Sequence, residues 1–348
     1  MGKVKLALFG AAGYGGVEFL RILRTHPHVE VVLLAGHSNA GNAMSEVYPH
    51  LTGAEDRVID DSSIERALEV ADVMVLALPH GTGMPLVAEA RAASKQVLDF
   101  SADFRLKDAA VYEKTYGVPH TAKELLGEAV YGLPELHREE LVGHGLIAVP
   151  GCYPTSAILA MTPAVRAGLV DPASVIIDSK SGVSGAGRSK LTLTTHFCEV
   201  DESVSAYNIA SHRHAPEMDQ ELGQWGEKLR VTFSPHLIPM NRGILTTAYA
   251  TLNETVTAEE VREMYAGAYA GEPFVRVLAP KQYPATKMAT GTNLCFIGLT
   301  VHEETGRLIV VSAIDNLGKG LAGAAVQCLN VSQGWGETTA LEAVAVWP

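Results

Sequence analysis

Apolar residues in the first 150 positions fall into short runs separated by glycine, proline and polar turns. Residues 4–9 (VKLALF) predict a short buried strand, and Gly10-Ala11-Ala12-Gly13-Tyr14-Gly15-Gly16 follows directly. Residues 17–23 then carry apolar positions at helical spacing. Residues 30–35 predict a second strand, 72–79 a strand buried on both faces, and 97–100 another. Strands alternating with helical segments predict a parallel sheet covered by helices on both faces.

The pattern changes after Val149-Pro150-Gly151. A helix is expected from about residue 154 to 168, then a strand near 175–178 and a Gly/Ser-rich stretch over 181–189. Strand-like runs follow at 229–233, 244–252, 274–278, 294–301 and 307–314, with one helix near 258–270. Few helices between strands predict a mixed or antiparallel sheet in a second domain. An Ala/Gly-rich helix over 318–329 is suited to close packing against the first domain.

Composition narrows the function classes. Across 348 residues, 39 acidic against 27 basic side chains give a formal charge of −12, which opposes an electrostatic grip on nucleic acid or anionic lipid. No stretch approaches the ~18 apolar residues of a membrane span, and the N-terminal apolar run is too short for a secretory signal. Cys152, Cys198, Cys295 and Cys328 lie far apart without CxxC or His–Cys spacing, so neither a metal site nor a disulfide framework is expected. The expectation is a soluble, cytoplasmic, reduced chain. Net charge leaves room for a small anionic substrate held by a few focused cations.

Gly10, Gly13 and Gly16 are spaced GxxGxxG between a strand and a helix, with Ala12, Tyr14 and Gly15 in the same loop. Such a loop lets backbone N–H groups and a helix N-terminus approach a pyrophosphate. A plain tight turn is the simpler alternative, and the strand–turn–helix context favours the dinucleotide. The second strand runs into Gly36-His37-Ser38-Asn39 without the acidic residue that binds a free ribose 2′-hydroxyl, so NADP is favoured over NAD, with Ser38 nearby. Pro79 and His80 follow the third strand at its C-terminal end, where cofactor contacts gather.

Cys152 sits in a Gly-Cys-polar turn before a helix, where the positive helix end favours a thiolate. Cys295 and Cys328 sit in apolar runs and read as core. A thiol nucleophile needs a proton-handling partner, and His212 and His214, in Tyr207–His214, are the densest candidates; either one is open. His26, His28, His50, His137 and His144 read as surface loop residues. Arg105, Arg188 and Arg242 lie in strand-end loops suited to binding carboxylate or phosphate, and Ser184 shares the donor-rich loop that Arg188 closes.

GAAGYGG, ALPHG at 77–81, FSADFR at 100–105, YGLPE at 131–135, PGCYPT at 150–155 and SGVSGAGR at 181–188 form an ordered set. SHRHAPE at 211–217, PHLIPMNRGI at 235–244 and DNLGKG at 315–320 complete it. Nearly end to end, the chain resembles the N-acetyl-gamma-glutamyl-phosphate reductases of arginine biosynthesis. The resemblance implies an α/β fold: a Rossmann NADP-binding domain over 1–150, completed by the C-terminal helix 316–348, and an α+β catalytic domain over 151–315. The latter would be like the C-terminal domain of glyceraldehyde-3-phosphate dehydrogenase and would carry oligomerisation as a homodimer or homotetramer. It further implies Cys152 as nucleophile, His212 as acid/base, Arg105 facing the substrate phosphate, and Asn316 contacting the nicotinamide amide. His37-Ser38 stand where many relatives carry an arginine, which leaves the strictness of NADP over NAD open.

The expected reaction is NADPH-dependent conversion of an acyl phosphate, N-acetyl-L-glutamyl 5-phosphate, to the 5-semialdehyde through a cysteine thioester. A rival is a reductase whose aminoadipyl or glutamyl phosphate is tethered to an acidic carrier protein, which the negative net charge disfavours. A non-catalytic NADP-binding sensor is a third reading. It is disfavoured because the thiol, histidines and arginines are all present.

Overall fold

In the computed structural model, which describes residues 2–61, 63–189, 192–226 and 229–347, the first apolar run forms strand β1 (Val4–Phe9). Its sheet continues with β2 (Val29–Ala35), β3 (Val73–Leu76), β4 (Gln96–Asp99), β5 (Val130–Tyr131) and β6 (Leu146–Ala148). The spatial order is β2-β1-β3-β4-β6-β5, and every pairing is parallel. All four residues of β3 are buried, as a strand covered on both faces requires. Phe9, Met74, Leu76, Val87, Phe104 and Tyr112 belong to one core cluster of this sheet. Because β1 lies between β2 and β3, the strand order reverses there, and such a reversal opens a ligand crevice at the strand C-termini.

The second sheet holds β7 (Ile176–Ser181), β8 (Ser205–Ala206), β9 (Thr232–Leu237), β10 (Ile244–Thr251), β11 (Val275–Val277), β12 (Cys295–His302) and β13 (Arg307–Ile314). Its order is β11-β12-β13-β10-β7-β9-β8. The pairs β11/β12 and β7/β9 are parallel and the others antiparallel, so the sheet is mixed. Burial alternates along β10: Ile244, Thr246, Ala248 and Ala250 point inward and their neighbours are half-buried. Period-two alternation of this kind marks a sheet packed on one face. The helix Cys152–Arg166 packs against β10 and β13, and Ser156 Oγ lies 2.7 Å from Ser312 Oγ. The helix Ala258–Ala268 closes on it, with Tyr265 donating its hydroxyl to the Ala160 carbonyl at 2.8 Å.

The chain divides into two compact units: Met1–Pro150 with Ala322–Leu341, and Gly151–Leu321 with Glu342–Pro348. The piece returning to the first unit is therefore shorter than the 316–348 expected from sequence. The physical reason lies in Asp315, whose carboxylate binds Arg242 and Gly291 and keeps the following turn in the second unit. The helix Gly323–Ser332 is buried at every position.

Two further expectations are corrected. His26 is not a surface loop residue: it is buried, with Nε2 2.8 Å from Asn330 Oδ1, and burial lowers its pKa. His137 lies inside the Pro134–Leu141 helix, at a kink, rather than in a loop. Both helices that follow key loops begin earlier than predicted, at Tyr14 and at Cys152. Among the described residues no helix is long and apolar enough to cross a membrane.

Candidate active site

In the first unit, two glycines are required by close approach. Gly10 has φ +79°, and a Cβ there would lie 2.2 Å from the Ala77 carbonyl oxygen. A Cβ at Gly16 would lie 2.5 Å from the Gly10 oxygen, so the helix Tyr14–Leu23 starts hard against the end of β1. Gly13 caps that helix without a side chain, leaving the first-turn N–H groups of Tyr14, Gly15 and Gly16 uncapped by one. A diphosphate fits this arrangement: backbone donors, a helix N-terminus and no Cβ in the way. Ala12 is buried in the loop, and its carbonyl accepts from the Tyr48 hydroxyl at 3.1 Å.

Ser38 is exposed in a 3-10 turn, His37–Asn39, just past β2. Pro79 and His80 follow β3, where the His80 ring lies 5.1 Å from Tyr116. Sequence reasoning missed the residue that fastens this loop. Asp103 is fully buried and accepts the Gly81 N–H at 2.7 Å and the Tyr112 hydroxyl at 2.6 Å. Nearby Asp99 is also fully buried, and burial, with the neighbouring Asp103 charge, pushes its pKa up to about 7. Arg105 points inward: Nε donates to the Val149 carbonyl at 2.7 Å and Nη2 to the Phe100 carbonyl at 2.9 Å.

In the second unit, Cys152 is a half-buried thiol and the first residue of a 15-residue helix. The preceding Gly151 N–H donates to Glu217 Oε1 at 2.7 Å, and Glu217 is buried. The Tyr207 hydroxyl donates to the Tyr153 oxygen at 3.0 Å, and Tyr153 donates to the His236 carbonyl at 3.2 Å. The His212 ring lies 5.6 Å from Tyr153 and 5.4 Å from Tyr207, so the histidine cluster and the thiol's neighbours share one patch.

His212 is buried, and burial, with the adjacent Arg213 charge second, lowers its pKa to about 4. Its Nδ1 accepts the His214 backbone N–H at 3.1 Å. The neutral ring therefore carries its proton on Nε2, which makes that atom a donor. His214 packs beside it with ring centroids 4.8 Å apart.

Of the remaining predicted residues, Arg242 bonds to Asp315, and Asn316, the next residue, bonds to Ser184. Arg242 Nε donates to Asp315 Oδ2 at 2.9 Å. Asn316 bridges two loops, accepting the Gly243 N–H at 2.7 Å and donating to Ser184 Oγ at 2.9 Å. Arg188 is exposed at the end of the Ser184 loop. Gly320 abuts the nucleophile: a Cβ there would lie 2.8 Å from Cys152 Cβ. Glu217, Asp315 and Gly320 were not singled out from sequence, although each sits inside a quoted motif, SHRHAPE or DNLGKG.

Comparison with known proteins decides the family. A reductase from Pelotomaculum thermopropionicum, named N-acetyl-gamma-glutamyl-phosphate reductase, is 51% identical over 346 residues, covering 99% of both chains. A relative of the same name from Moorella thermoacetica is 48% identical, covering 99% of this chain and all of that one. Another, from Dehalococcoides mccartyi, is 50% identical over the whole of both chains. The chain belongs to the N-acetyl-gamma-glutamyl-phosphate reductase family.

Within it, residues 5–144 match the semialdehyde dehydrogenase NAD binding domain and residues 152–316 the semialdehyde dehydrogenase dimerisation domain. The first unit of this reductase-family chain is thus a nicotinamide-dinucleotide-binding Rossmann domain, and the second carries the dimerisation fold. Solved structures agree on the fold. Aspartate semialdehyde dehydrogenase II from Vibrio cholerae superposes with TM-score 0.72 at 15% identity, covering 95% of this chain and 98% of that one. An aspartate semialdehyde dehydrogenase with NADP from Candida albicans gives 0.70 at 15% identity, over 94% and 98%.

Proposed function

We propose that this chain catalyses NADPH-dependent reductive dephosphorylation of N-acetyl-L-glutamyl 5-phosphate to N-acetyl-L-glutamate 5-semialdehyde, a step of arginine biosynthesis. The names of its full-length relatives support this reading. The observation that carries it is a half-buried thiol at the start of a long helix, in one patch with a buried neutral imidazole. That pairing suits acyl transfer to sulfur.

Cys152 is the nucleophile. The helix N-terminus favours its thiolate, which attacks the acyl carbon while the bond from that carbon to the phosphate oxygen breaks. The proton consumed overall ends on the departing phosphate, and a thioester remains on Cys152. When bound, the reduced cofactor supplies the hydride that reduces this thioester. His212 donates a hydrogen bond from Nε2–H to the oxygen that becomes negative and keeps its proton through collapse, as the structure's tautomer allows. Collapse then breaks the carbon–sulfur bond, restores the thiolate and releases the aldehyde. Arg105, Arg188 and Arg242, with Ser184 and His214, are assigned to the substrate's anionic and polar groups.

Gly10, Ala12, Gly13, Tyr14, Gly15 and Gly16 would hold the diphosphate, and Pro79 and His80 would line the crevice. Asn316 is assigned to the nicotinamide amide by the family resemblance. NADP is preferred over NAD because β2 runs into Gly36-His37-Ser38 with no carboxylate to repel a 2′-phosphate, and Ser38 is exposed there as a donor. The assembly is a homodimer or homotetramer.

Rates with free N-acetylglutamyl phosphate, with the carrier-tethered analogue, and with NADPH against NADH test this directly. The reading requires turnover of the free substrate with NADPH. Exclusive use of the carrier-linked compound would transfer the assignment to the rival reductase.

A further inference from the structure

Asp315, just past β13, has no solvent exposure and gathers four donors. Oδ2 accepts the Gly291 N–H at 2.6 Å and Arg242 Nε at 2.9 Å. Oδ1 accepts the Leu317 N–H at 2.8 Å, the Gly318 N–H at 3.1 Å and Arg242 Nε at 3.2 Å. Three backbone N–H groups thus fix the carboxylate, and the carboxylate fixes Arg242, whose side chain remains 26% exposed. A guanidinium gripped at Nε has its plane and the direction of its two terminal nitrogens set.

The same residue reaches the nucleophile by its backbone. The Asp315 carbonyl accepts the Gly320 N–H at 2.9 Å, and Gly320 presses on Cys152 so closely that a Cβ would stand 2.8 Å from Cys152 Cβ. One short turn therefore grips an arginine with its side chain and backs the thiol with its far end.

We propose that Asp315 is a positioning residue that holds Arg242 at a set span from Cys152, and that this span selects the length of the substrate's acyl chain. It deepens the reading of Arg242 as a substrate-binding residue and rests on it. An anionic group seated on Arg242 brings the acyl carbon to the sulfur only if the spacing between them matches. A homologue one methylene shorter misses one of the two partners, and misplacement of about 1 Å costs roughly a hundredfold in rate. Releasing Arg242 lets the arginine follow a shorter substrate and blunts the discrimination.

The test is kcat/KM for N-acetylglutamyl phosphate against N-acetylaspartyl phosphate in wild type, Asp315→Asn, Arg242→Ala and the double variant, with melting temperatures alongside. The glutamyl preference should fall about tenfold in each single variant and no further in the double, since Asp315 acts through Arg242. A folded Asp315→Asn protein with undiminished preference overturns the proposal, as does a double variant in which the two losses multiply. If Asp315→Asn fails to fold, Arg242→Lys substitutes for it: the charge stays but the Nε contact goes. Its preference should fall likewise, and an intact preference overturns the proposal. An Arg242→Ala protein with unchanged KM and preference instead removes Arg242 from the substrate site. That outcome is distinct from one in which Arg242→Ala weakens binding while Asp315→Asn does nothing.

Discussion

The glycine loop of the first unit and the thiol site of the second solve their tasks with different materials. Between Gly10 and Gly16 the site is backbone: a positive φ, two approaches too close for a Cβ and an uncapped helix start. Around Cys152 it is side chains recruited from far along the chain. Glu217 reaches Gly151 across 66 positions, Asp315 reaches Arg242 across 73, and Asn316 reaches Ser184 across 132. A backbone site tolerates change at its surroundings and fails at its glycines. A side-chain site is vulnerable wherever one of its long-range contacts is cut.

The largest test of that contrast replaces one glycine in each region. Gly16→Ala places a Cβ 2.5 Å from the Gly10 oxygen, so NADPH affinity, read by fluorescence titration, should collapse while iodoacetamide still labels Cys152. Gly320→Ala pushes on Cys152 instead; kcat should fall roughly a hundredfold with NADPH affinity retained. If either substitution damaged both readouts equally, the two regions would not be separate devices.

A smaller effect comes from Glu217→Gln, which keeps the shape but exchanges one carboxylate oxygen for a donor. The Gly151 N–H still finds an acceptor through the remaining oxygen, so the expected change is a loss of a few-fold in kcat, below the ~1–3 kcal/mol cost of leaving a buried donor unpaired. An Ala at the same position should cost distinctly more, and equal losses for Gln and Ala would argue against the hydrogen bond.

A separate pair of effects is in stability, and they have opposite signs in the two units. Asp99 has a folded pKa raised to about 7, so its contribution is present at low pH and is lost as pH rises from about 4 through 7. His212 has a folded pKa lowered to about 4, so its contribution is present above about 6.5 and is lost as pH falls toward 4. Chemical denaturation should show Asp99→Asn gaining on wild type as pH rises across the first window and levelling off above it. His212→Asn should gain on wild type as pH falls across the second. A pH-independent difference for either variant would contradict the burial argument.

The same contrast explains what could be read from sequence. β1, its glycine loop and the alternating first sheet were legible because strand, turn and helix signals are local and the glycines have steric reasons within a few residues. Cys152 was legible for the same reason, as a thiol in a Gly-Cys-polar turn before a helix. Arg242 could be listed as a candidate, but not its grip by Asp315, because nothing in PMNRG points to DNLGKG. His26 shows the same limit in reverse: its RTHPH surroundings are polar, and it is buried with a partner, Asn330, 304 positions away. Nothing local in FSADFR points from Asp103 to Gly81 and Tyr112, which share its carboxylate.

The central claim is that acyl transfer to Cys152 precedes reduction. Intact-protein mass spectrometry after mixing the protein with N-acetylglutamyl phosphate, with no reduced cofactor, tests it most directly. The account predicts a mass gain of one N-acetylglutamyl group on the peptide holding Cys152, release of one equivalent of phosphate, and loss of both in Cys152→Ser. Turnover with NADPH in Cys152→Ser at the wild-type rate, or an unmodified Cys152 in a wild-type protein that turns over, would contradict it.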